Sequence, residues 1–187
     1  HILSAHGWPC RTTEEVRAFV GNGARRLMER AVPPEITGAA FETVLAEYRA
    51  WYQAHNCVET APYAGIPAVL ETLRAAGVKT AVVSNKPDAT TRALAERFFP
   101  GLPAFGQRDD VPPKPSPELV YRALATLGAD GGAAAYVGDS EVDVATARNA
   151  GLPLAAVSWG FRGRQALAEA GAETIVDTAA ELLAVLQ

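Results

Sequence analysis

AAAYVGDSEVDVATARNAG, residues 133–151, decides the fold. AAAYVG (133–138) is a short apolar segment of the length expected of a buried strand. Gly138 ends it, and Asp139 and Ser140 form a turn. EVDVATARNA reads as a helix with Val142, Ala145 and Ala147 apolar and Gly151 as its stop. Asp139 thus stands at the carboxyl end of a strand, before a helix N-terminus, on the rim where open parallel α/β sheets bind ligands. Asp143 lies one helical turn further on and can approach the same rim. Two carboxylates there suit a hard cation such as Mg²⁺. Asp139 is equally a good helix N-cap, and this stretch alone leaves both readings open.

Working outward, strands and helices alternate over residues 61–187, which predicts a parallel sheet with helices on both faces. GIPAVLETLRAAG is a helix ending at Gly77, VKTAVVSN (78–85) a buried strand, and PDATTRALAERFF a helix. FPGLPAFGQRDDVPP (99–113) is a Pro/Gly-rich connection, and SPELVYRALATLG a helix with Ser116 as N-cap and Pro117 at its first position. After the 133–151 unit come a PLAAVSW strand, a helix from about Arg164, a short TIV strand and a last helix from about Thr178.

Residues 1–60 differ: they read as a small all-helical domain. HILSAHG is the tail of a helix stopping at Gly7, and Thr12 with Glu15 forms a capping box. VGNG (20–23) interrupts, ARRLMERAV resumes, and a longer helix carries Phe41, Val44, Leu45, Tyr48, Trp51 and Tyr52 on one face. That aromatic stripe is expected to pack rather than to recognise a ligand.

The 187 residues carry a net charge of −4 and no basic run, which argues against a nucleic-acid partner. No apolar run reaches membrane-spanning length, and Cys10 and Cys57 show neither a disulfide framework nor metal-ligand spacing. The expectation is a cytoplasmic protein, as monomer or homodimer, acting on a small molecule. At the rim already defined, Ser84 and Asn85 end a strand and offer a hydroxyl and an amide, although taken alone the pair reads more readily as a polar strand-to-helix turn. Lys114 by itself is as readily a flexible, solvated side chain, but the flanking prolines restrict its backbone and make it a compact charge suited to phosphate.

In this order, Ser84-Asn85, Lys114-Pro115 and GDSEVD resemble the second, third and fourth motifs of the haloacid dehalogenase-like hydrolase superfamily. FVGNGARRLMERA (19–31) is most similar to the helical cap of its phosphoglycolate phosphatases. The resemblance covers the whole chain and implies a Rossmann-like core with a helical cap at residues 1–60. It implies that Ser84 and Asn85 hold the transferring phosphoryl group and that Lys114 neutralises it. Asp139 would ligate Mg²⁺, with Asp143 supporting that site from behind or through water. The Lys114-Pro115 bond is often cis in such sites. Gly21, Asn22, Gly23 and Arg25 would close over the substrate, with Arg25 as partner for its carboxylate. The implied activity is Mg²⁺-dependent hydrolysis of a small phosphorylated carboxylate, 2-phosphoglycolate first, through an aspartyl-phosphate. The alternatives are a sugar-phosphate phosphatase, a mutase, a pyrophosphatase, or a non-catalytic phosphate- and metal-binding module.

One motif departs. The family's Asp-x-Asp, which supplies nucleophile and general acid, does not occur; Asp109-Asp110 is adjacent rather than spaced and lies in a loop. The expectation is a chain that has lost its upstream central strand, between those of Ser84 and Asp139, and that is inactive as it stands.

Overall fold

A computed structural model describes residues 1–187. Four helices come first: α1 (Ile2–Ala5), α2 (Thr13–Phe19), α3 (Gly23–Ala31) and α4 (Gly38–His55). The capping box at Thr12 is formed in both directions, Glu15 N–H donating to the Thr12 hydroxyl and Thr12 N–H to the Glu15 carboxylate. The helices close on their own core of Ile2, Met28, Val32, Phe41, Val44 and Leu45, against which Tyr48 and Trp51 pack. The apolar stripe on α4 is therefore largely spent on packing, as its helical spacing requires.

The remaining residues form five parallel strands with helices between them. In chain order they are α5 (Ile66–Ala75), β1 (Val82–Pro87), α6 (Asp88–Phe98), β2 (Ala104–Gln107) and α7 (Glu118–Leu127), then β3 (Tyr136–Gly138) and α8 (Glu141–Ala150). β4 (Leu154–Val157), α9 (Gly163–Glu169), β5 (Ile175–Val176) and α10 (Ala179–Leu186) complete the chain. Alternate residues of β4 serve opposite faces, as a strand's period of two dictates. Ala155 and Val157 pack with Leu182 of α10 and Ile66 of α5, whereas Ala156 packs with Val144 of α8 and Leu167 of α9. Both faces are covered.

Several boundaries differ from the sequence expectation, beginning with the strand expected over 133–138, which forms only at Tyr136–Gly138 because Gly131–Ala133 make a 3-10 turn. The first strand begins at Val82 rather than Val78 and continues to Pro87, because pairing starts where Val82 meets Ala104. The segment expected to be wholly connection contains β2. Gly106 within it lies so close to α6 that a Cβ would overlap Asp88, and the Asp88 carboxylate accepts its N–H at 3.0 Å. The helix after Lys114 starts at Glu118, with Pro117 at the cap and no side-chain cap bond from Ser116. Ser116 instead closes a turn onto the Pro113 carbonyl.

The strands pair as two sheets, β1-β2 and β3-β4-β5, with no hydrogen bonds between them. The break falls between β1 and β3, where the resemblance puts the family's central strand. Across it, Val83 of β1 packs against the cluster that contains Tyr136 of β3 and Val120 of α7.

Candidate active site

The carboxyl ends of β1 and β3, the Lys114 turn and the α2–α3 turn converge on one cavity of about 410 Å³. Ser84, Asn85, Lys114, Asp139 and Asp143 all line it, as do Gly21 and Gly23. Asn22 does not; it occupies the N-cap of α3 without a side-chain cap bond. Arg25 is not brought to this cavity either. It forms a two-pronged pair with Glu42 at 2.8 Å on each arm and lies over the Phe41 ring. The unpaired cations facing the cavity are Lys86 and, from α4, Arg49.

Asp143 and Lys114 form the frame. The Lys114 ammonium donates to Asp143 Oδ1 at 2.8 Å, the Tyr136 hydroxyl at 3.2 Å and the Val83 carbonyl at 3.3 Å. The other Asp143 oxygen accepts from the Ser140 hydroxyl at 2.6 Å and from the Asp139 N–H at 3.1 Å. Gly138 has room for none but a hydrogen, since a Cβ would overlap the Asp143 side chain. Burial by itself would raise the Asp143 pKa, but the Lys114 charge and the donated bonds hold it below the usual aspartate value. Burial likewise opposes the Lys114 charge, and Tyr136 and Asp143 more than reverse this, so its pKa is raised. Desolvation, only partly offset by Lys114, pushes Tyr136 up to about 12.

Asn85 is buried and its amide is committed: Oδ1 accepts the Lys114 N–H at 2.8 Å, while Nδ2 donates to the Lys114 and Gly21 carbonyls. Its side chain therefore positions the Lys114 turn, whose Lys114-Pro115 peptide is cis. Ser84 Oγ accepts from the Lys86 N–H at 3.1 Å, which leaves its own proton to donate into the cavity.

The structure removes one of the two readings of Asp139, that of helix cap. Ser140, not Asp139, is the N-cap of α8, its hydroxyl accepting from the Asp143 N–H at 3.3 Å. Asp139 Oδ2 accepts the Phe161 N–H at 2.8 Å, and no hydrogen bond reaches Oδ1. Gly160 packs against this carboxylate so closely that a Cβ would overlap it. Desolvation raises the Asp139 pKa, the Phe161 N–H opposes this, and the Asp143 charge adds to the rise. A partly buried carboxylate with a free oxygen and a destabilised charge fits one ligand of Mg²⁺, which commonly takes one or two protein carboxylates plus waters and phosphate. Asp143 has both oxygens in use and fits a supporting position. No group of three or more acidic, His or Cys side chains forms a metal cage.

Sequence reading passed over Lys86, although it adjoins Ser84-Asn85. Desolvation and then repulsion by Lys114 lower its pKa, against attraction by Asp139, so its ammonium lacks a committed counter-ion. Phe161 and Arg162 had no motif to mark them, since the one acts through its main chain and the other binds main-chain carbonyls.

A haloacid dehalogenase-like hydrolase family model matches residues 2–151. The N-acetylmuramic acid 6-phosphate phosphatase of Pseudomonas aeruginosa is 32% identical over 194 residues, covering 99% of this chain and 84% of that protein. A phosphoglycolate phosphatase of Pseudomonas syringae is 31% identical, covering 97% of this chain and 70% of its own length. A crystal structure of a provisionally assigned phosphoglycolate phosphatase from Lactobacillus delbrueckii subsp. bulgaricus superposes with a TM-score of 0.91 at 32% identity, covering 99% of this chain and 87% of that one.

Proposed function

The chain belongs to the haloacid dehalogenase-like hydrolase family and is a phosphoric monoester hydrolase of it, and from that premise we propose Mg²⁺-dependent hydrolysis of a small phosphorylated carboxylate, 2-phosphoglycolate first. The observation that carries this reading is the meeting of a free Ser84 hydroxyl proton, the Lys114–Asp143 pair, the open Asp139 oxygen and the uncommitted Lys86 at one cavity.

Residues 1–60 act as the cap in this reading, and each group in the cavity has a task. Ser84 donates to a phosphoryl oxygen. Lys114 neutralises phosphoryl charge, an incoming oxygen replacing its longest bond, the 3.3 Å one to Val83. Lys86 and Arg49, rather than Arg25, take the substrate carboxylate. Asp139 holds Mg²⁺, which when bound offsets negative charge on the phosphoryl group. Asp143 keeps Lys114, Ser140 and the Asp139 main chain in place. By the family resemblance, the phosphoryl group passes to an aspartate carboxylate as the ester P–O bond breaks, and the alcohol leaves with a proton from the motif's second aspartate. Water then cleaves the acyl phosphate, releasing inorganic phosphate and restoring the carboxylate. Asp-x-Asp does not occur in the 187 residues, and no aspartate among them is assigned this nucleophilic role.

A second reading, a phosphorylated sugar acid, is favoured by the cavity. Its volume of about 410 Å³ lies within the ~300–1,000 Å³ typical of sites for larger ligands. Leu27, Tyr48 and Tyr52 give it an apolar wall suited to a ring. The test is phosphate release by the full-length enzyme, with and without Mg²⁺, from 2-phosphoglycolate, N-acetylmuramic acid 6-phosphate, a hexose 6-phosphate and pyrophosphate. Preference for carboxylate-bearing esters that is lost in Lys86→Met supports the proposal. Binding of phosphate without release from any ester would leave a non-catalytic module.

A further inference from the structure

Three hydrogen bonds join residues 1–60 to residues 61–187, and all end on carbonyls of one short stretch, Arg17, Val20 and Gly21. Two of them come from Arg162, in the loop between β4 and α9. Its side chain is only 15% exposed. Nη1 donates to the Arg17 carbonyl at 2.8 Å and Nη2 to that of Val20 at 2.7 Å. Nε and Nη2 grip the two oxygens of Glu141 at 2.9 and 3.0 Å.

The receiving carbonyls lie at the C-terminal end of α2, where a helix leaves acceptors unpaired and carries partial negative charge. A guanidinium satisfies both needs. The stretch is shaped to admit it: Gly21 has φ +121°, and a Cβ there would stand 3.3 Å from Arg162 Nη2. On the other side, Glu141 is the first residue of α8, next to the cap residue Ser140. The residue before Arg162, Phe161, donates its N–H to Asp139. One loop thus touches both the α2–α3 turn and the carboxylate at the rim.

We propose that Arg162, braced by Glu141, is the positioning residue that seats the α2–α3 turn over the cavity, and that this seating sets the affinity for an anionic substrate. Only the second half rests on the phosphatase reading. Arg162 also lines the cavity, but four of its five N–H donors are committed to Glu141 and to the Arg17 and Val20 carbonyls, which makes it a positioning residue rather than a catalytic one. Its fork geometry matters as much as its charge, so lysine, with donors radiating from one point, is not an equivalent.

The test is hydrogen exchange of the peptide spanning residues 17–25, read by mass spectrometry, together with hydrolysis by the full-length enzyme. In Arg162→Gln and Arg162→Lys, exchange of this peptide rises roughly tenfold, the scale of losing one charge-assisted hydrogen bond. Glu141→Gln, a milder change that leaves Arg162 in place, raises it less. Arg164→Gln, which removes an equal charge from a pair with Asp177, leaves it unchanged. KM rises by about the same factor in the two Arg162 variants, and kcat by contrast changes less than about threefold. Unchanged exchange in both Arg162→Gln and Glu141→Gln overturns the proposal, whatever the enzyme hydrolyses. So does an equal rise in the α7 peptide 118–127, which marks general loosening, or raised exchange with an unchanged KM. Raised local exchange in a wild-type background that hydrolyses no ester sinks the phosphatase reading and upholds the seating; weaker binding of inorganic phosphate then replaces KM as the second readout.

Discussion

Asp143→Asn is the perturbation that probes the frame of the site most directly. The carboxylate has four donors, two on each oxygen: Lys114 and Tyr136 on Oδ1, Ser140 and the Asp139 N–H on Oδ2. An asparagine keeps one oxygen and must turn its NH₂ towards one of these donor pairs. It also leaves Lys114 charged without a partner, in a place where the two side chains are only 12% and 8% exposed. Removing one member of a buried pair costs about 3–5 kcal/mol, since the remaining charge is then uncompensated. For a chain of this size that lowers the unfolding midpoint by roughly 6–20 °C. Urea titration of wild type, Asp143→Asn, Lys114→Met and the double variant measures the loss in free energy, and thermal melts of the same proteins measure the midpoint. The double variant should lose less than the sum of the singles, by about 1–3 kcal/mol. Glu71→Gln, which breaks the fully exposed Arg74 pair, should leave the midpoint where it was. A loss below about 1 kcal/mol for Asp143→Asn, the scale of a surface pair, would refute the reasoning. So would strict additivity.

Asp139→Asn should behave in the opposite way. Desolvation raises its pKa, so the folded state disfavours its ionised form at neutral pH, and the uncharged variant should melt no lower than wild type while losing Mg²⁺-dependent turnover. Any such stability gain should shrink as pH falls towards the unfolded-state value of about 3.9, where the wild-type carboxylate is protonated too. Gly160→Ala should drive a methyl into Asp139 and cost about 1–3 kcal/mol, with turnover reduced in parallel; wild-type stability would show that the loop yields freely. Asp177, its pKa lowered first by the Ser158 hydroxyl and then by Arg164, ties the ends of β4 and β5 to α9. A depressed acid contributes stability above its unfolded value and loses it as pH falls through the folded one. The melting difference between wild type and Asp177→Asn should therefore be flat above about pH 5 and close below about pH 4, and a constant difference across that window would contradict the assignment.

What was legible in the sequence was what one segment decides for itself. The Thr12–Glu15 box, the strand–turn–helix at Asp139 and the stop at Gly151 each depend on neighbours within a few residues, and each formed. β2 escaped because it is strand by partnership: AFGQ has no alternation, its flanks are rich in proline and glycine, and only β1 beside it supplies the pairing. Arg25 was a plausible carboxylate partner until α3 and α4 packed together and brought Glu42, 17 positions away, against it. Arg162 was beyond reach for a related reason. Its partners are main-chain carbonyls 142 and 145 positions distant, and a carbonyl carries no residue identity for a sequence to display.

The two aspartates of GDSEVD show how one turn of chain can divide labour. Asp139 and Asp143 differ in environment rather than in type. Asp143 is saturated with donors and its charge is stabilised; Asp139 keeps one oxygen free and its charge is destabilised. On the proposed function this difference suits Asp139 to holding the metal and Asp143 to holding Lys114 and the turn in place. The group that costs stability is the one left open to a ligand, and the group that supplies stability is the one closed off. Ser140 makes the division possible by capping α8 itself, so Asp139 has no helix N-terminus to serve. Exchanging Ser140 for alanine should therefore disturb Asp139 without touching it. With the cap hydroxyl gone, the Asp143 oxygen that accepted it retains only the Asp139 N–H, and the turn that aims Asp139 loses its brace. Loss of an N-cap costs about 0.5–2 kcal/mol. If Ser140→Ala lowered stability by that amount and left Mg²⁺ dependence untouched, the turn would be a cap alone and the proposed link from Asp143 to Asp139 would fail.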